Sequence, residues 1–376
     1  MSRPRIAVIT RHGLNAADWG HRHARHEVID RTPYAYHLAE DEAVLEWSQD
    51  GHEGVVGRWW RMTLRHLLGF DLVHVWRNRA LLARADAIWT HTEREHLAVA
   101  MLKSLRPRTY RAHSIAQSVW LWDLWPHMAG IRRWFIARLL RQHTIELLLS
   151  RVNRDDSLSA VPGRAVVRVP FGTHFARPVT AASPRAPRVL VVGNDRHRDW
   201  PLMAQVARAI PEVDFDVVSL AEEARAIAWP PNVTVRSASQ TELLEEIYRT
   251  ATVVAVPLRE NRHASGCTVA IEGLSAGVPV VATDTGGIDE YVAGSTAALV
   301  PVGDVAAFTA RVREYAHRTD AVDATVPARH GLSERDYVAR LVRITQSVLN
   351  GEAIPESALA FERMPMLFAD TADELS

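Results

Sequence analysis

Short apolar runs alternate with helical stretches along the whole chain of 376 residues. In the first half the runs that predict strands cover residues 6–10, 72–76, 87–90, 114–121, 145–150 and 166–169. In the second half they cover residues 189–192, 214–219, 233–235, 253–256 and 278–283. Continuous apolar runs separated by helices are typical of parallel sheets that are covered by helices on both faces. The pattern therefore predicts an α/β protein with a parallel sheet in each half.

A break in this pattern separates the two halves. The segment ARPVTAASPRAPR, residues 176–188, is rich in Pro, Ala and Ser and has no apolar period, as is typical of a linker. A chain of this length is also too long for one ordinary core and suits two domains. We predict one domain over residues 1–178 and a second over residues 188–330.

The run ENRHASGCTVAIEGLSAGVPVVATDTGG, residues 260–287, carries the most information about function. A turn of small residues opens an apolar helix that stops at Gly277, and a buried strand and the Gly286-Gly287 turn follow. This order predicts an αβ unit whose loop lies at the carboxyl edge of a parallel sheet, where such sheets bind ligands. Amides at the start of the helix suit a phosphate. Any Rossmann-like helix with a glycine turn is the alternative interpretation.

The same run resembles the donor-nucleotide motif of retaining GT-B glycosyltransferases of family 4, the glycosyltransferase group 1 enzymes. The positions that match the motif are Glu272, Gly277, Pro279, Val280, Val281, Gly286, Gly287 and Glu290. The family has a further glutamate eight residues before Glu272, which handles the donor sugar, and this chain has Ala264 there. His263 and Glu260 are candidates to replace it.

The resemblance implies an α/β fold of the GT-B kind, in which two Rossmann-like domains with parallel sheets face each other across a cleft. The N-terminal domain would bind the acceptor, and residues 193–290 of the second domain would bind the nucleotide-sugar donor. The last segment, residues 331–376, would form a helix and a tail that cross back to the first domain. The family needs no metal and no cofactor, because the nucleotide-sugar is a substrate.

Further donor-binding residues follow from the resemblance. Glu272 would accept hydrogen bonds from the ribose hydroxyls, and Ser237 and Gln240 would border the base. A Ser-x-x-Glu box from Ser239 to Glu242 predicts a helix start beside them. The other donor-binding candidates are Gly193, His263, Ser265, Gly266, Cys267 and Thr268.

Two arginines follow the first strand of the second half, in GNDRHRDW. Arg196 and Arg198 would stand at the carboxyl edge of the sheet and face the cleft, where guanidinium groups pair with phosphate oxygens. Fixed positive charge aimed at a leaving diphosphate lowers the barrier to its departure. We therefore predict a catalytic role for both; a solvated, charged turn is the alternative.

The family also places a histidine at the end of an N-terminal strand, near the donor sugar. That pattern puts Gln117 at the histidine position, and a neutral amide binds sugar hydroxyls but is not a general base. His91, which ends the preceding strand, is the other candidate, and a structural role is its alternative.

A group of histidines and a single cysteine suggest reactive sites, but neither has the partners that such sites need. His12, His21, His23 and His26 are close in sequence, but no ordered acidic or cysteine partner accompanies them, so we predict no metal site. Cys267 at a helix start would have a lowered pKa, yet no partner for a nucleophile is evident.

Charge is divided unevenly between the halves. Residues 1–178 hold 26 Lys and Arg against 17 Asp and Glu, a net charge of +9, and the remainder carries −9. No nucleic-acid-binding signature is present, so an anionic membrane surface is the better partner for the basic half. Residues 58–70 and 131–143 combine Arg with Trp, Phe and Leu at helical spacing, which fits either core helices or membrane contact.

The resemblance implies a retaining, hexosyltransferase-type glycosyltransferase of polysaccharide biosynthesis that acts on a glycan, lipid-linked or small-molecule acceptor. No apolar run is long enough to span a bilayer and no signal peptide is apparent, which predicts a cytoplasmic enzyme, peripheral to the inner face of the membrane. The alternatives are a sugar-nucleotide epimerase of the same fold and a non-catalytic binder of nucleotide-sugars or polyanions.

Overall fold

The computed structural model describes residues 3–179, 186–318 and 320–365. Residues 180–185 of the predicted linker and 366–376 of the predicted tail lie outside these ranges. The first half forms a six-stranded parallel sheet of order β2-β1-β3-β4-β5-β6. Its strands are β1 (Arg5–Ile9), β2 (Val44–Trp47), β3 (Ala87–Thr90), β4 (His113–Gln117), β5 (Ile145–Leu148) and β6 (Val166–Arg168).

The second half forms another six-stranded parallel sheet, of order β12-β11-β10-β7-β8-β9. Its strands are β7 (Arg188–Val192), β8 (Asp214–Val218), β9 (Val233–Arg236), β10 (Val253–Val256), β11 (Val280–Thr283) and β12 (Ala298–Val300). The prediction of an α/β protein with two parallel sheets is confirmed.

Helices connect the strands and cover both faces of each sheet. Around the first sheet they are α1 (Ala16–Ala24), α2 (Val55–Leu68), α3 (Leu72–Arg77), α4 (Arg79–Arg84), α5 (Glu93–Leu105), α6 (Leu121–Leu124), α7 (Gly130–Leu140) and α8 (Arg151–Ala160). From the second sheet onward they are α9 (Trp200–Ala209), α10 (Glu222–Ala226), α11 (Gln240–Glu242), α12 (Tyr248–Thr250), α13 (Cys267–Ser275), α14 (Ile288–Val292), α15 (Val305–Ala316), α16 (Val326–Arg329) and α17 (Glu334–Asn350). Short 3₁₀ segments cover Pro33–Ala39, Trp125–His127 and Glu356–Ala358, and a π-helical turn covers Leu243–Ile247.

Alternate residues of each strand enter different cores. Ile6 and Val8 of β1 pack in one cluster, whereas Ala7 and Ile9 pack in the cluster on the opposite face. This follows from the two-residue period of a strand. Because both faces are buried, these strands appear in the sequence as continuous apolar runs rather than as alternating ones.

The last described helix returns to the first domain. Buried residues along α17 belong to the same core cluster as β1 and β3, and Trp89 donates from Nε1 to Thr345 Oγ1 at 2.9 Å. Ser333 caps its start by accepting a bond from the Asp336 amide, and Gly351 ends it in a left-handed conformation. Among the residues described here, no helix is both long and apolar enough to cross a bilayer.

Two expectations about strands are wrong, and two strands were missed. Residues 72–76 form helix α3, because the Asp71 side chain accepts from the His74 amide and caps a helix start within the apolar run. The strand expected over 114–121 ends at Gln117, and α6 begins at Leu121. The sequence pattern also missed β2 and β12, which are short strands at the sheet edges.

Candidate active site

Loops that follow the strands of both sheets meet at one junction. Ser150, just beyond β5, donates to the carbonyl of Arg262 in the loop after β10 at 2.6 Å. The Arg262 amide donates to Asp123 Oδ1 at 2.7 Å, and the Arg151 amide donates to Glu290 Oε1 at 2.7 Å. The carboxyl ends of parallel strands are where α/β proteins bind ligands. The junction therefore brings the ligand-binding edges of the two domains together.

His263 lies at the centre of this junction and bonds to both domains. Its Nδ1 lies 2.8 Å from Asp123 Oδ2 of the first domain, and its Nε2 lies 3.0 Å from Asp195 Oδ2 of the second. Burial alone would lower the pKa of His263, but the bonds and charges of the two aspartates outweigh it and raise that pKa to about 8. A ring with both nitrogens against carboxylates is an imidazolium that donates twice.

Asp195 is the hub of the charged groups in the second domain. Besides His263, its carboxylate accepts from Ser265 Oγ at 2.9 Å and lies 3.1 Å from His197 Nδ1. Burial opposes the charged form, yet the bonds from His197 and His263 hold the pKa of Asp195 well below its usual range. Ser265 Oγ in turn accepts from Arg198 Nη1 at 3.1 Å. A continuous series of hydrogen bonds therefore crosses the junction, from Asp123 through His263, Asp195 and Ser265 to Arg198.

The two predicted catalytic arginines occupy different environments. Arg196 is exposed and borders a cavity at the junction. Arg198 is only 2% exposed, and its Nε donates to the Val192 carbonyl at 3.0 Å. Arg198 therefore stands at the carboxyl edge of the sheet, but the expectation that it faces the cleft is wrong, because the carbonyl of Val192, the last residue of β7, accepts from its guanidinium and holds it inward.

Two glycines make room for that guanidinium. A Cβ at Gly193 would overlap the Arg198 side chain, and a Cβ at Gly266 would lie 2.5 Å from Val256 Cγ1 and 3.1 Å from Arg198 Nη1. Gly266 also has a φ of +81°, which favours glycine. Arg198 is thus held beside the start of α13, where a helix terminus favours anions.

The start of α13 differs from expectation in two details. The Cys267 amide donates to the Ala264 carbonyl at 3.2 Å, so it is not a free donor for a phosphate. Burial raises the pKa of the Cys267 thiol to about 12, whereas a helix start alone would lower it. Thr268 lies in the first turn of the helix beside it.

Glu272 is buried in α13 and already has partners for both oxygens. Thr173 Oγ1 donates to Oε1 at 3.1 Å, and the Tyr248 hydroxyl donates to Oε2 at 2.6 Å. Burial raises the pKa of Glu272 to about 7. Each carboxylate oxygen has a second lone pair, so the group still has acceptor capacity for a ligand hydroxyl.

The residues expected around the base lie in the loop after β9. Ser237 is exposed, and the Gln240 amide donates to the Glu27 carbonyl of the first domain at 3.2 Å. Ser239 Oγ accepts from the Glu242 amide at 3.1 Å, which confirms the predicted helix start. The Glu242 side chain pairs with Arg236 instead of completing the box.

His91 and Gln117 both face protein groups. His91 stacks on Tyr34 with ring centroids 3.5 Å apart, and burial together with the charge of Arg11 lowers its pKa to about 3, so the ring is neutral. Gln117 is 1% exposed, and its Oε1 accepts from the Tyr337 hydroxyl of α17. Within the described residues its Nε2 has no hydrogen-bond partner. Gln117 therefore contacts the returning helix, and the structure does not place it among the His263 group.

Sequence reasoning missed both aspartates that hold His263. Asp195 lies within the motif GNDRHRDW, but only its arginines stood out. Asp123 lies in the apolar segment WLWDLW, and nothing local indicates that it bonds a residue 140 positions away. An acidic residue alone in an aromatic segment is the one available signal.

Ligand-type atoms of Asp123, His197 and His263 lie within 4.8 Å of one another. Both ring nitrogens of His263 are engaged by carboxylates, which describes an ion-pair network rather than a set of free ligand atoms. The expectation that no metal is needed stays a prediction.

The chain is similar to a known protein family and to several solved structures. A family model described as glycosyl transferases group 1 matches residues 186–318. Sucrose-phosphate synthase from Thermosynechococcus elongatus superposes with a TM-score of 0.63 at 17% identity, over 93% of this chain and 97% of that one. HepE of Anabaena in complex with UDP-glucose gives 0.62 at 13% identity, over 93% and 100%. WaaB, a lipopolysaccharide outer core galactosyltransferase in its apo form, gives 0.55 at 14% identity, over 92% and 99%.

No curated protein sequence matches this chain significantly. The solved structures cover nearly the whole chain at low identity, which establishes the shared fold. The matched family segment contains β7 to β12 and therefore the whole of the second sheet. Residues 186–318 are thus a group 1 glycosyltransferase domain, carried by a chain that has the GT-B fold.

Proposed function

We propose that this protein is a retaining glycosyltransferase that moves a sugar from a nucleotide-sugar donor to a glycan, lipid-linked or small-molecule acceptor. The observation that carries the proposal is the position of Arg198. Its guanidinium is fixed between Gly193 and Gly266 at the start of α13, one helical turn and a half before Glu272. This places a cation, a helix terminus and a carboxylate together, which suits the diphosphate and ribose of a donor. The HepE structure with UDP-glucose supports the donor class.

Chemically, the leaving diphosphate gains negative charge as the glycosidic bond breaks. Arg198 and the start of α13 would stabilise that charge without reorganising, because Val192 and Ser265 already hold the guanidinium. Retention would come from attack on the same face as departure, with a donor phosphate oxygen assisting removal of the acceptor proton. Of the two candidates to replace the missing glutamate at position 264, Glu260 is exposed and would face the sugar hydroxyls, whereas both ring nitrogens of His263 are already held by Asp123 and Asp195.

A panel of nucleotide-sugars tests this proposal against its alternatives. UDP-, GDP- and ADP-sugars are first screened by thermal shift, since a ligand at about 100 times its dissociation constant adds about 2.7 kcal/mol of stability. The hits are then incubated without acceptor. A transferase releases free sugar slowly, an epimerase interconverts two sugars, and a non-catalytic binder does neither.

We expect Glu272→Gln to bind the donor about tenfold to a hundredfold more weakly than the wild type. A charge-assisted bond to a ribose hydroxyl is worth about 1.5–3 kcal/mol, and an amide cannot accept at both of its ends. The pKa of Glu272 is raised to about 7, so the charged form grows as pH rises through 7 and donor affinity should rise with it. Titration calorimetry between pH 6 and pH 8 measures both effects.

The control for this variant is Glu245→Gln, which changes an exposed acid in the neighbouring π-helical turn. It should leave donor affinity and its pH dependence unchanged. If Glu272→Gln keeps wild-type affinity and an unchanged melting curve, Glu272 is not part of the donor site.

Helix α2 supports a proposal that the protein docks on an anionic membrane surface, at the inner face of the cytoplasmic membrane. Its Arg61 points inward and pairs with Glu53 at 2.9 Å and Asp71 at 2.6 Å, whereas Trp59 is 66% exposed and Trp60 is also exposed. This arrangement inverts the usual amphipathic helix, in which charge faces water and apolar residues face the core. Exposed tryptophan is typical of a membrane interface or a partner.

Helix α7 carries further exposed residues. Ile131 and Trp134 are exposed, and Arg133 adds positive charge between them. Phe135 of the same helix instead stacks on Phe70 with centroids 6.4 Å apart and packs against the core. We call the exposed residues Trp59, Trp60, Ile131, Arg133 and Trp134 the aromatic surface. Its charge suits anionic lipid, which supports the basic half of the chain as the docking half.

Liposome flotation tests this surface. We expect binding to anionic vesicles that weakens with salt, because each nearby arginine contributes about 1 kcal/mol and is screened over about 8 Å at physiological salt. Trp59→Ser with Trp60→Ser should reduce the bound fraction further. The matched control is Leu105→Ser, an exposed apolar residue at the distant end of α5. Failure of the wild type to float with anionic vesicles at low salt would refute the membrane proposal.

A further inference from the structure

A cavity of about 380 Å³ opens between the two domains beside the His263 group. Its second-domain wall is Asn194, Asp195 and Arg196, from the loop between Gly193 and Arg198. Asp195 also bonds His263 and Ser265, so the cavity adjoins the donor site rather than a remote surface. Its volume is in the range of small-molecule sites.

Apolar side chains line most of the interior on the first-domain side. Leu97, Leu121 and Ile136 are buried in the core and reach the cavity, and Leu124 and Met128 extend this wall. Apolar walls of this kind bury the hydrocarbon part of a ligand and gain free energy in proportion to the area removed from water. A free sugar, with hydroxyls on all sides, would leave these walls poorly matched.

Four arginines surround the same cavity: Arg11, Arg94, Arg132 and Arg196. All four are exposed, and in the described parts of the chain none of their guanidinium groups donates to a carboxylate. Four guanidinium groups without a carboxylate partner therefore converge on one cavity. Unpaired guanidinium groups around a cavity favour an anionic ligand through charge-assisted bonds.

Arg132 lies at the cavity beside the end of α2. Its guanidinium lies against Gly69, which ends α2 with a φ of +86° and carries no side chain that would compete for this space. Arg132 therefore reaches the cavity from the start of α7, next to the end of α2. Helix α2 also carries Trp59 and Trp60 about nine residues earlier, or roughly 13 Å along the helix axis.

Two carboxylates also line the cavity, and each is already engaged. Asp195 is held by His263, Ser265 and His197, as described above. Glu93 is buried and accepts from the amides of Val119 and Trp120, both at 3.2 Å. The buried Glu93 carboxylate would repel an anion deep in the cavity, so the anionic group belongs at the exposed rim with the arginines and the apolar part inside.

We propose that this cavity binds an acceptor that joins an anionic group, a phosphate or a carboxylate, to an apolar body. The inference rests on the proposed glycosyltransferase function, since it assigns the acceptor of the same reaction. The anionic group pairs with Arg132 and its neighbours at the rim, and the apolar body lies against Leu97, Leu121 and Ile136. A lipid-linked phosphate and a soluble amphiphilic anion share this chemistry.

Calorimetry with octyl phosphate, at concentrations where it is monomeric, tests the proposal on the full chain. We expect octyl phosphate to bind at least about tenfold more tightly than either octanol or inorganic phosphate, because only it satisfies both the rim and the wall. Arg132→Gln and Arg94→Gln should each weaken it by about tenfold and leave nucleotide-sugar affinity unchanged. The matched control is Arg138→Gln, an exposed arginine later on α7 that does not line the cavity.

A further variant distinguishes binding at the cavity from binding at the aromatic surface. Trp59→Ser with Trp60→Ser should retain octyl phosphate binding, and loss of binding there would place the amphiphile on the aromatic surface and overturn the proposal. Equal binding of octanol, or no effect of Arg132→Gln and Arg94→Gln, would also overturn it. If nucleotide-sugars bind while octyl phosphate does not, the donor proposal stands and the acceptor proposal fails. If only octyl phosphate binds, the transferase proposal fails and the cavity remains an anion-binding site.

The two sources of such an acceptor are separated by a second arm. Octyl phosphate in solution is compared with a long-chain prenyl phosphate presented in neutral vesicles. Stronger Arg132-dependent binding to the vesicles assigns a lipid-linked acceptor, and binding of the soluble compound alone assigns a soluble one.

Discussion

The Arg198→Ala variant should transfer sugar about a hundredfold or more slowly than the wild type. Removal of a single fixed donor to charge that develops in the transition state costs on the order of 10²–10³ in turnover. Arg198 would be such a donor under the proposed function, because Val192 and Ser265 fix two of its nitrogens and the glycines on either side leave room for its side chain. Steady-state turnover with saturating donor is the measurement.

Two further variants separate charge stabilisation from packing. Arg198→Lys keeps a positive charge but cannot bond Val192 and Ser265 together, so it should recover little activity. Arg196→Ala removes an exposed arginine of the cavity and should raise the KM for acceptor while acceptor-independent donor hydrolysis stays normal. Melting curves check that each variant folds. Turnover of Arg198→Ala within twofold of wild type would mean that Arg198 only fills space between the loops.

Much of the fold could be predicted from the sequence because its cause is local. A strand of a sheet that is buried on both faces must be apolar throughout, and the runs that form β3, β7 and β10 have that character over their whole length. The same logic misread residues 72–76, where the aspartate that caps α3 decides the structure. Short edge strands such as β12 bury less apolar surface, so their sequence shows a weaker apolar pattern.

The candidate site was less predictable because its contacts are long-range. Sequence position placed Arg196 and Arg198 equally at the end of β7, and only the folded backbone shows that one turns inward and the other outward. Gln117 aligned with a family histidine. Its side chain nevertheless accepts a hydrogen bond from Tyr337 of α17, which lies 220 residues later in the chain. Pairings of this kind depend on how distant loops meet, which no local pattern encodes.

The aspartate pair around His263 should make activity and stability depend on pH. The pKa of His263 is raised to about 8 from an ordinary value of about 6.5. A group with a raised folded-state pKa contributes stability that is fully present below the unfolded value and is lost as pH rises through the folded one. The bridge between the domains therefore weakens between about pH 6.5 and 8, and its protonation contributes about 2 kcal/mol below that window.

Asp123→Asn is the variant that should move this dependence. An amide removes one negative charge from His263, so the pKa of His263 should fall and the decline in kcat/KM should begin at lower pH than in the wild type. Breaking a buried ion pair by removing one partner costs about 3–5 kcal/mol of folding free energy, so we also expect a lower melting temperature than the wild type at neutral pH. The pH profile of kcat/KM, measured with melting curves across the same range, gives both results.

Asp156→Asn is the matched control for that experiment. Asp156 joins the same junction through Arg262 at 3.2 Å and contacts no histidine there, so its loss should weaken the junction modestly without moving the pH profile. His197 also lies near, with ring centroids 4.8 Å from His263, and His197→Gln tests whether this neighbouring ring contributes to the junction. If Asp123→Asn and Asp156→Asn change the profile alike, general weakening of the junction explains the effect. If only Asp123→Asn moves it, the proton that joins the two domains lies on His263.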